Sequence, residues 1–311
     1  SNKALRDALK SLFEGRFGQA EKAATRAAEF NDNLGVAALV AARAAHRMGQ
    51  PERRDIWLTS IDDKENMKTA RLMTTVDLLV DGHQPQAALE AIKELNASGT
   101  RHIHALRLAL KANQQAENWP EVLRLVKTLD KHDALHPALS MRLRELAYDD
   151  QFADASHDAE TIARLWALIP ADDKVKPSIA LRAARSFNQR DMPDEARNVV
   201  ESALAVEWDK RLMQAYRNCV GDEGSAALRT QIEHCEAWMA KAPNDAELAL
   251  TLGTFCLKQK LWGKAQRHLE QALSDGKEPK TLREAHLKLG QLHEALEQKE
   301  IMDFFSKEPE F

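Results

Sequence analysis

Residues 248–273 read LALTLGTFCLKQKLWGKAQRHLEQAL, and this stretch has the spacing of a tetratricopeptide repeat. A glycine in its first apolar segment predicts that two antiparallel helices approach closely, and alanines in its second segment predict small side chains where the helices cross. The residues that carry the pattern are Leu252, Gly253, Ala265, Leu269 and Ala272. One hairpin cannot bury its own apolar face, so the stretch predicts neighbouring repeats.

The start of the second helix recurs at four other places in the chain. In each of them an aromatic residue, a proline or a glycine stands shortly before the residue that opens the helix. The segments are FGQA ending at Ala20, HQPQA ending at Ala87, NWPEV ending at Val122 and DMPDEA ending at Ala196. Their spacing corresponds to one or two units of roughly 34 to 37 residues, which matches the tetratricopeptide period.

Three weaker helical pairs fill the longer intervals between these segments. They cover residues 34–61 with a break at 49–51, residues 137–169 with a longer connector at 149–156, and residues 209–241 with a break at 221–224. Apolar residues recur at three and four positions rather than in alternation, which indicates helices and leaves little room for strands. The chain has only 12 Gly and 10 Pro, and most of them fall at the predicted breaks.

These patterns predict an all-α fold, a tetratricopeptide-repeat-like α-solenoid of about eight to nine antiparallel helical hairpins. We expect residues 3–311 to form a single superhelical domain, because no Ser-, Gly- or Pro-rich linker interrupts the repeats. Joints within this domain are expected near 149–156 and 219–225. Ser1 and Asn2 are interpreted as a cloning scar.

Charge and cysteine content exclude several classes of protein. The net charge of -4 gives no support for nucleic-acid binding, so no nucleic-acid partner is predicted. The three cysteines lack a CxxC or metal-binding spacing, and their odd number argues against a disulfide framework, so a reducing compartment is predicted. No apolar run in this sequence reaches the roughly 20 residues that a membrane-spanning helix needs.

Three longer stretches resemble the soluble part of the proteobacterial HemY family. They are ALRDALKSLFEGRFGQAEKAA from Ala4, NWPEVLRLVKTLDKHDALHP from Asn118, and a run from Asp209 that begins DKRLMQAYRNC and ends in the Leu-Gly repeat. The resemblance is one of layout and covers nearly the whole chain. Its most specific part is the run from Asp209.

The HemY resemblance implies two membrane spans ahead of this domain, which anchor it in the bacterial inner membrane with the domain facing the cytoplasm. It also implies a role in the late steps of haem and protoporphyrin synthesis, with late haem-biosynthesis enzymes as partners. This family is distinct from the flavin-dependent porphyrinogen oxidase that shares its name in other bacteria.

Catalytic signatures are absent from the sequence. The chain contains no GxGxxG, GxxxxGK, GxSxG or HExxH motif. No catalytic residue, metal site or resident cofactor is therefore predicted, and we expect the chain not to be an enzyme. Haem or porphyrin is kept as an alternative ligand because of the pathway that the resemblance implies.

Three histidine pairs have spacings that could serve a metal or a haem iron. They are His132 with His136, His102 with His104, and His286 with His293. Proline after His136 disfavours the continuous helical face that an i, i+4 pair needs. Solvated or capping roles are preferred for all of these histidines, and Cys235 beside His234 is interpreted as a small apolar packing residue. The six tryptophans are assigned to packing between hairpins rather than to a ligand cage.

In tetratricopeptide proteins the first helix of each hairpin lines a concave groove. By this analogy, the second hairpin presents Val36, Leu39, Arg43 and His46 to the groove. The candidate partner-binding residues over the whole chain are Arg43, His104, Arg107, Lys111, Arg142 and Arg185. Their basic members would favour an acidic partner surface or the propionates of a porphyrin. The alternative is that they are ordinary solvated helix positions.

Two functions of different classes follow from these observations. The first is a non-catalytic scaffold that gathers late haem-biosynthesis enzymes and so raises the effective concentration of each product near the next active site. The second is a carrier that holds haem or porphyrin in the groove. A tetratricopeptide interaction module of another pathway is a further alternative, since the repeat alone does not specify a partner.

Overall fold

The structure, a computed structural model, describes residues 2–61, 66–99 and 102–305, and within these residues the chain forms helices joined by short turns and contains no strand. Ser1, half of the predicted cloning scar, lies outside the described residues. Contacts divide the chain into two compact units, Ser1–Ala147 and Tyr148–Phe311. Each unit is built from successive helical hairpins, so the all-α, tetratricopeptide-like prediction is confirmed.

The described residues of the first unit form four complete hairpins and the start of a ninth helix. Its helices are α1 (Asn2–Phe13), α2 (Phe17–Ala28), α3 (Leu34–Arg47), α4 (Pro51–Thr59), α5 (Lys68–Asp81), α6 (Pro85–Ala97), α7 (Ile103–Gln115), α8 (Trp119–Asp130) and α9 (Pro137–Ala153). A short 3₁₀ turn, Asn31–Asn33, precedes α3. Each first helix packs against its own second helix, and α1, α3, α5 and α7 pack side by side in one layer.

The second unit repeats this arrangement. Its helices are α10 (Ala159–Leu168), α11 (Ala171–Lys174), α12 (Pro177–Asn188), α13 (Pro193–Val206), α14 (Lys210–Asn218), α15 (Ala226–Lys241), α16 (Ala246–Lys258), α17 (Trp262–Asp275) and α18 (Pro279–Phe305). Helices α12, α14, α16 and α18 contact one another in sequence and form the layer of first helices.

The residues at the points where the two helices of a hairpin cross are small and buried. The fourth residue of each of five second helices is at most 1% exposed; these residues are Ala20, Ala88, Val122, Ala196 and Ala265. The sequence prediction of Ala87 at this position was therefore wrong by one residue. Because α6 starts at Pro85, its inward face falls on Ala88, and Ala87 is exposed.

Gly253 shows why the repeat needs a glycine. A Cβ built at this residue would lie 2.8 Å from Cγ of Leu269 and 3.1 Å from its backbone nitrogen. Real Cβ atoms essentially never come as close as 2.8 Å, and 3.1 Å is tighter than most real contacts, so glycine at the crossing lets α16 and α17 approach this closely. The close approach predicted from the Leu-Gly pattern is confirmed.

One predicted connector is shorter than expected. Helix α9 runs without interruption to Ala153, so most of the segment predicted as a connector at 149–156 is helical. Tyr148 and Phe152 are buried on this part of the helix and hold it in the second unit. The predicted break at 221–224 is confirmed between α14 and α15. The joints proposed near 149–156 and 219–225 stay predictions.

Candidate functional site

In the first unit, a cavity of about 640 Å³ that is open to solvent on one side lies between α1, α3, α5 and the start of α2. This volume lies within the range of about 300 to 1,000 Å³ that is common for ligand pockets. Its apolar lining consists of Leu9, Leu12, Phe13, Phe17, Val36, Leu39, Val40 and Leu78, and its polar lining includes Arg43, Arg47, Thr74, Asp77 and Asp81. We call this the first-unit cavity.

Helix periodicity explains why these side chains share one surface. On α3 the lining residues Val36, Val40, Arg43 and Arg47 follow one another at steps of three or four, which places them on a single helical face. The opposite face of α3 is rich in alanine and is buried against neighbouring helices. The sequence of α3 therefore turns apolar residues at its start and two arginines at its end toward the cavity.

An ion pair and a hydrogen bond join α3 to α5 beside the cavity. Arg43 Nη1 donates to Asp77 Oδ2 over 2.9 Å, and His46 Nε2 lies 2.9 Å from Asp81 Oδ2. The hydrogen bond from His46 lowers the pKa of Asp81, against a smaller opposing effect of burial, and the positive charge of Arg47 lowers that pKa further. Asp81 is therefore a stable anion at neutral pH that fixes the orientation of the imidazole.

The apolar side of the cavity is open to solvent. Phe13 at the end of α1 is 84% exposed, and Val36 at the start of α3 is 41% exposed. Leu9 and Leu12 are partly buried on the same side of α1. An apolar surface beside charged residues is typical of sites that bind another molecule.

The candidate partner-binding residues lie at different places. Arg43 lines the first-unit cavity. Arg107 of α7 donates from Nε and Nη2 to the backbone oxygen of Ala134, over 3.0 and 2.7 Å, so it closes the turn after α8. His104 and Lys111 are exposed on the same helix.

The last two candidates belong to later helices. Arg142 is exposed on α9, with its Nη1 atom 3.9 Å from Glu145 Oε2. Arg185 is exposed on α12 in the second unit. A common function of these residues as a basic stripe stays a prediction.

The acidic residues of the cavity were not predicted, because groove positions were counted back from the start of each second helix and this count selects no acidic residue. Asp77 and Asp81 lie 34 and 35 residues after their partners Arg43 and His46, which is one repeat period. A search for opposite charges one period apart would have found both pairs. The apolar residues of α1 carry no comparable signal, because they read as ordinary core positions of an amphipathic helix.

The histidines and cysteines do not assemble into a metal site in the described parts of the chain. Within residues 2–61, 66–99 and 102–305, no three His, Cys, Asp or Glu residues are placed to hold a metal ion. Cys219, Cys235 and Cys256 are all free and buried. Burial raises the pKa of the Cys219 thiol to about 12 and that of Cys256 to about 11, and raises that of Cys235 as well. These thiols pack as apolar groups.

A buried ion network is the main polar feature of the second unit. Arg217 of α14 is 5% exposed and donates to Glu247 Oε2 of α16 over 2.8 Å. It also donates to both carboxylate oxygens of Glu284 on α18, over 3.2 and 3.1 Å, and to Thr251 Oγ1 over 2.9 Å. Thr281 donates to the second oxygen of Glu247. One guanidinium thus links three successive first helices.

Comparison with known proteins shows which sequences this chain is similar to. Residues 1–49, which include α1, α2 and α3, match the model of the HemY protein N-terminus family. The chain is also 24% identical over 217 residues to Protein HemY of Escherichia coli K12, and equally to Protein HemY of Shigella flexneri. The resemblance to the HemY family is confirmed. These alignments cover 68% of this chain but 54% of each relative, so the chain spans about half the length of the HemY proteins that it matches.

Solved structures show a weaker likeness. A tetratricopeptide repeat protein from Parabacteroides merdae is 13% identical with a TM-score of 0.30, covering 93% of this chain and 98% of that one. The fold assignment above therefore rests on the helices and contacts of the chain itself. Among the described residues, no helix combines the length and the apolar character needed to cross a membrane.

Proposed function

We propose that this chain is a non-catalytic scaffold of the HemY type that holds enzymes of late haem synthesis near one another at the inner membrane. In this proposal a segment N-terminal to residue 1 supplies the membrane anchor, as the HemY resemblance implies, and the helical unit faces the cytoplasm. Binding two enzymes to one anchored protein raises the effective concentration of an intermediate at the second enzyme without any new chemistry.

One observation carries the proposal. The segment that matches the HemY N-terminus, residues 1–49, supplies α1, the start of α2 and α3, three of the four helices that line the first-unit cavity. The part of the chain with the clearest family signal is thus also the part with an open apolar surface beside charged residues. Such a surface favours reversible protein binding.

A second candidate function is transport of a tetrapyrrole. The volume of the first-unit cavity and its arginines Arg43 and Arg47 favour it, because an apolar macrocycle with propionates needs both features. Asp77 and Asp81 weigh against it, since they place two negative charges beside the same site. No histidine is among the described residues that line the cavity, so it offers no imidazole ligand to iron. The scaffold is therefore the preferred proposal.

Affinity purification of the full-length, membrane-anchored protein distinguishes the two functions. The scaffold proposal expects late haem-biosynthesis enzymes to be recovered at levels well above a control membrane protein, without bound tetrapyrrole. A coloured, tetrapyrrole-loaded protein with no recovered enzymes would support the carrier instead. Recovery of neither would contradict both functions.

A further inference from the structure

We propose that the exposed face of α1 binds the anionic surface of a lipid bilayer. This face, which we call the basic face of α1, consists of Lys3, Arg6, Lys10 and Phe13. Its cations would lie among the headgroup phosphates, so that the first hairpin rests on the membrane. The inference goes beyond the proposed scaffold function, because it adds a contact between the folded chain itself and the bilayer, and it does not depend on the proposed N-terminal anchor.

Charge is distributed unevenly along the chain. The first hairpin, α1 with α2, carries six exposed cations: Lys3, Arg6, Lys10, Arg16, Lys22 and Arg26. It has only three acidic residues, and one of them, Glu21, is buried and paired with Arg53. Residues 2–28 therefore have a net charge of +3, and because the whole chain has -4, the other residues together have -7. A basic region of this kind attracts an anionic surface locally, although the molecule as a whole is acidic.

The side chains of the basic face point the same way. They follow one another along α1 at steps of three, four and three residues, and at about 100° per residue they span an arc of about 80°. Asp7 lies outside this arc. The opposite side of the helix supplies Ala8, Leu9 and Leu12 to the core of the first unit. Helix α1 is thus held to the protein by its apolar side and presents its basic side to solvent.

The cations of the basic face are available to a ligand. Among the described residues, no carboxylate lies within 4.0 Å of Lys3 or Arg6, whereas Lys10 Nζ is 3.8 Å from Glu14 Oε1. Both side chains of that pair are exposed, so water screens their attraction and the pair is easily exchanged. A phosphate group is a strong acceptor for lysine and arginine donors.

An anionic bilayer complements both the charges and the aromatic ring. Each lysine or arginine near such a surface strengthens membrane partitioning by roughly a factor of five. Lys3 and Lys10 stand seven positions apart, a rise of about 10 Å, so their face covers a strip that a flat surface can contact along its length. Phe13 is 84% exposed at one end of this strip, and aromatic side chains beside cations are typical of helices that lie on a membrane surface.

The position of Phe13 connects this contact to the candidate site. Phe13 belongs to the basic face and also lines the mouth of the first-unit cavity. Binding of the basic face to lipid would therefore hold that mouth beside the membrane surface. A protein bound at the cavity would be met at the level of the lipid headgroups.

Co-sedimentation of the chain with vesicles tests the inference directly. Vesicles of phosphatidylcholine alone are compared, at low salt, with vesicles of phosphatidylglycerol and phosphatidylcholine in equal parts. The chain should partition at least about tenfold more strongly onto the vesicles with phosphatidylglycerol, and about 0.5 M salt should remove the difference by screening. Because the whole chain has a net charge of -4, its overall charge repels these vesicles and cannot produce this result.

Two triple variants with equal net charge locate the contact. The first combines Lys3→Glu, Arg6→Glu and Lys10→Glu, and it should partition at least about tenfold less than the parent onto the vesicles with phosphatidylglycerol. The matched control changes three exposed lysines outside the first hairpin by Lys127→Glu, Lys131→Glu and Lys277→Glu, and it should lose less than about twofold. Circular dichroism establishes that both variants are folded.

Several outcomes would overturn the inference. They are equal partitioning onto the two kinds of vesicle, a first variant that binds as the parent does, or a control variant that loses as much as the first. Loss of haem enzymes, but not of vesicle binding, on charge reversal of the basic face would reassign this face to a protein partner. If vesicle binding fails while the full-length protein still recovers haem enzymes, the scaffold proposal stands and only the lipid contact is wrong. Vesicle binding without enzyme recovery supports the lipid contact and contradicts the scaffold.

Discussion

At the scale of single residues, the crossing of α16 and α17 depends on the absence of one methyl group. Gly253→Ala would place a Cβ within 2.8 Å of Leu269 Cγ and 3.1 Å of its backbone nitrogen, and the backbone cannot rotate away as a side chain can. We expect the variant to lose about 1 to 3 kcal/mol of unfolding free energy through overpacking. Urea unfolding followed by circular dichroism measures the loss.

Gly290→Ala is the matched control for this prediction. Gly290 also lies inside a helix, α18, but a Cβ there meets no heavy atom within 4 Å. The control should gain about 0.5 to 1 kcal/mol, because alanine loses less backbone entropy than glycine in a helix. The packing account of the repeat is wrong if both variants change stability in the same direction.

Residue-scale burial also predicts a dependence on pH in the second unit. The folded thiols of Cys219 and Cys256 hold their protons up to pKa values of about 12 and about 11, above their ordinary value of 9.0, because burial disfavours the thiolate. Their protonated state thus favours folding fully below pH 9, and this contribution is lost as pH rises from 9 through 11 and 12. Unfolding free energy should fall over that window, and less so in Cys256→Ala.

Iodoacetamide labelling checks the same burial independently. Native protein at pH 8 should remain almost unlabelled at all three cysteines over a time in which urea-unfolded protein is labelled completely, since the thiolate is the reactive form. Rapid native labelling of Cys235, which is fully buried, would show that the packing around it is not as described.

At the scale of elements, the hairpin turns share one backbone feature. Among the described residues, the residue two positions before the second helix has a positive φ in seven turns, and three of these residues are glycine: Gly15, Gly49, His83, Glu117, Asp191, Gly224 and Lys260. An L side chain in this left-handed conformation costs roughly 1 to 2 kcal/mol. The repeated turn therefore imposes strain wherever it is not occupied by glycine.

Exchanging residues at this turn position tests the strain. Glu117→Gly, at a φ of 56°, should raise unfolding free energy by about 0.5 to 1 kcal/mol, because relief of strain exceeds the entropy that glycine adds to the unfolded chain. Gly49→Ala, at a φ of 70° with open space around the added Cβ, should lower it by about 1 kcal/mol. Thermal unfolding of both variants measures these two changes in stability. A neutral or stabilising Gly49→Ala would contradict this reading of the turn.

The ion network of the second unit also acts between elements. Arg217→Met leaves the carboxylates of Glu247 and Glu284 partly buried without their cation, since these side chains are 17% and 29% exposed. We expect a loss of about 3 to 5 kcal/mol, as is typical when one partner of a buried ion pair is removed. Adding Glu247→Gln and Glu284→Gln to the variant should restore part of the stability.

An exposed ion pair provides the control for that network. Lys210 pairs with Glu278 at the surface, so Lys210→Met should change the unfolding midpoint little. If Arg217→Met proves equally harmless, α14, α16 and α18 are held together by apolar packing alone.

Helices could be predicted from the sequence because each hairpin repeats the same local rules. Prolines or aromatic residues at the starts of α6, α8, α13 and α17 mark the second helices, and the next inward residue is small. The continuation of α9 through residues 149–153 was not predicted, because polar residues there resemble a loop while Phe152 supplies the buried contact. Four of the seven left-handed turns could not be predicted from the sequence, because a residue other than glycine occupies the left-handed position.

At the scale of the whole molecule, the candidate site depends on contacts between repeats. Arg43 could be predicted to face a groove from its own helix, but its partner Asp77 belongs to the next hairpin. The cavity further requires the end of α1, whose Phe13 has no distinguishing pattern in the sequence. Local periodicity therefore predicts which face of each helix is inward. The residues that stay exposed around the cavity can be identified only from the packing of the helices in the first unit.

Photo-cross-linking in living cells tests the central claim, that this surface holds late haem-biosynthesis enzymes. Benzoylphenylalanine is introduced in the full-length protein in place of Phe13, at the cavity, or in place of Ile56, which is also exposed but lies on α4 outside the cavity. The account predicts cross-links to late haem-biosynthesis enzymes from position 13 and few or none from position 56. Equal cross-linking from both positions, or cross-links from position 13 only to unrelated proteins, would contradict it.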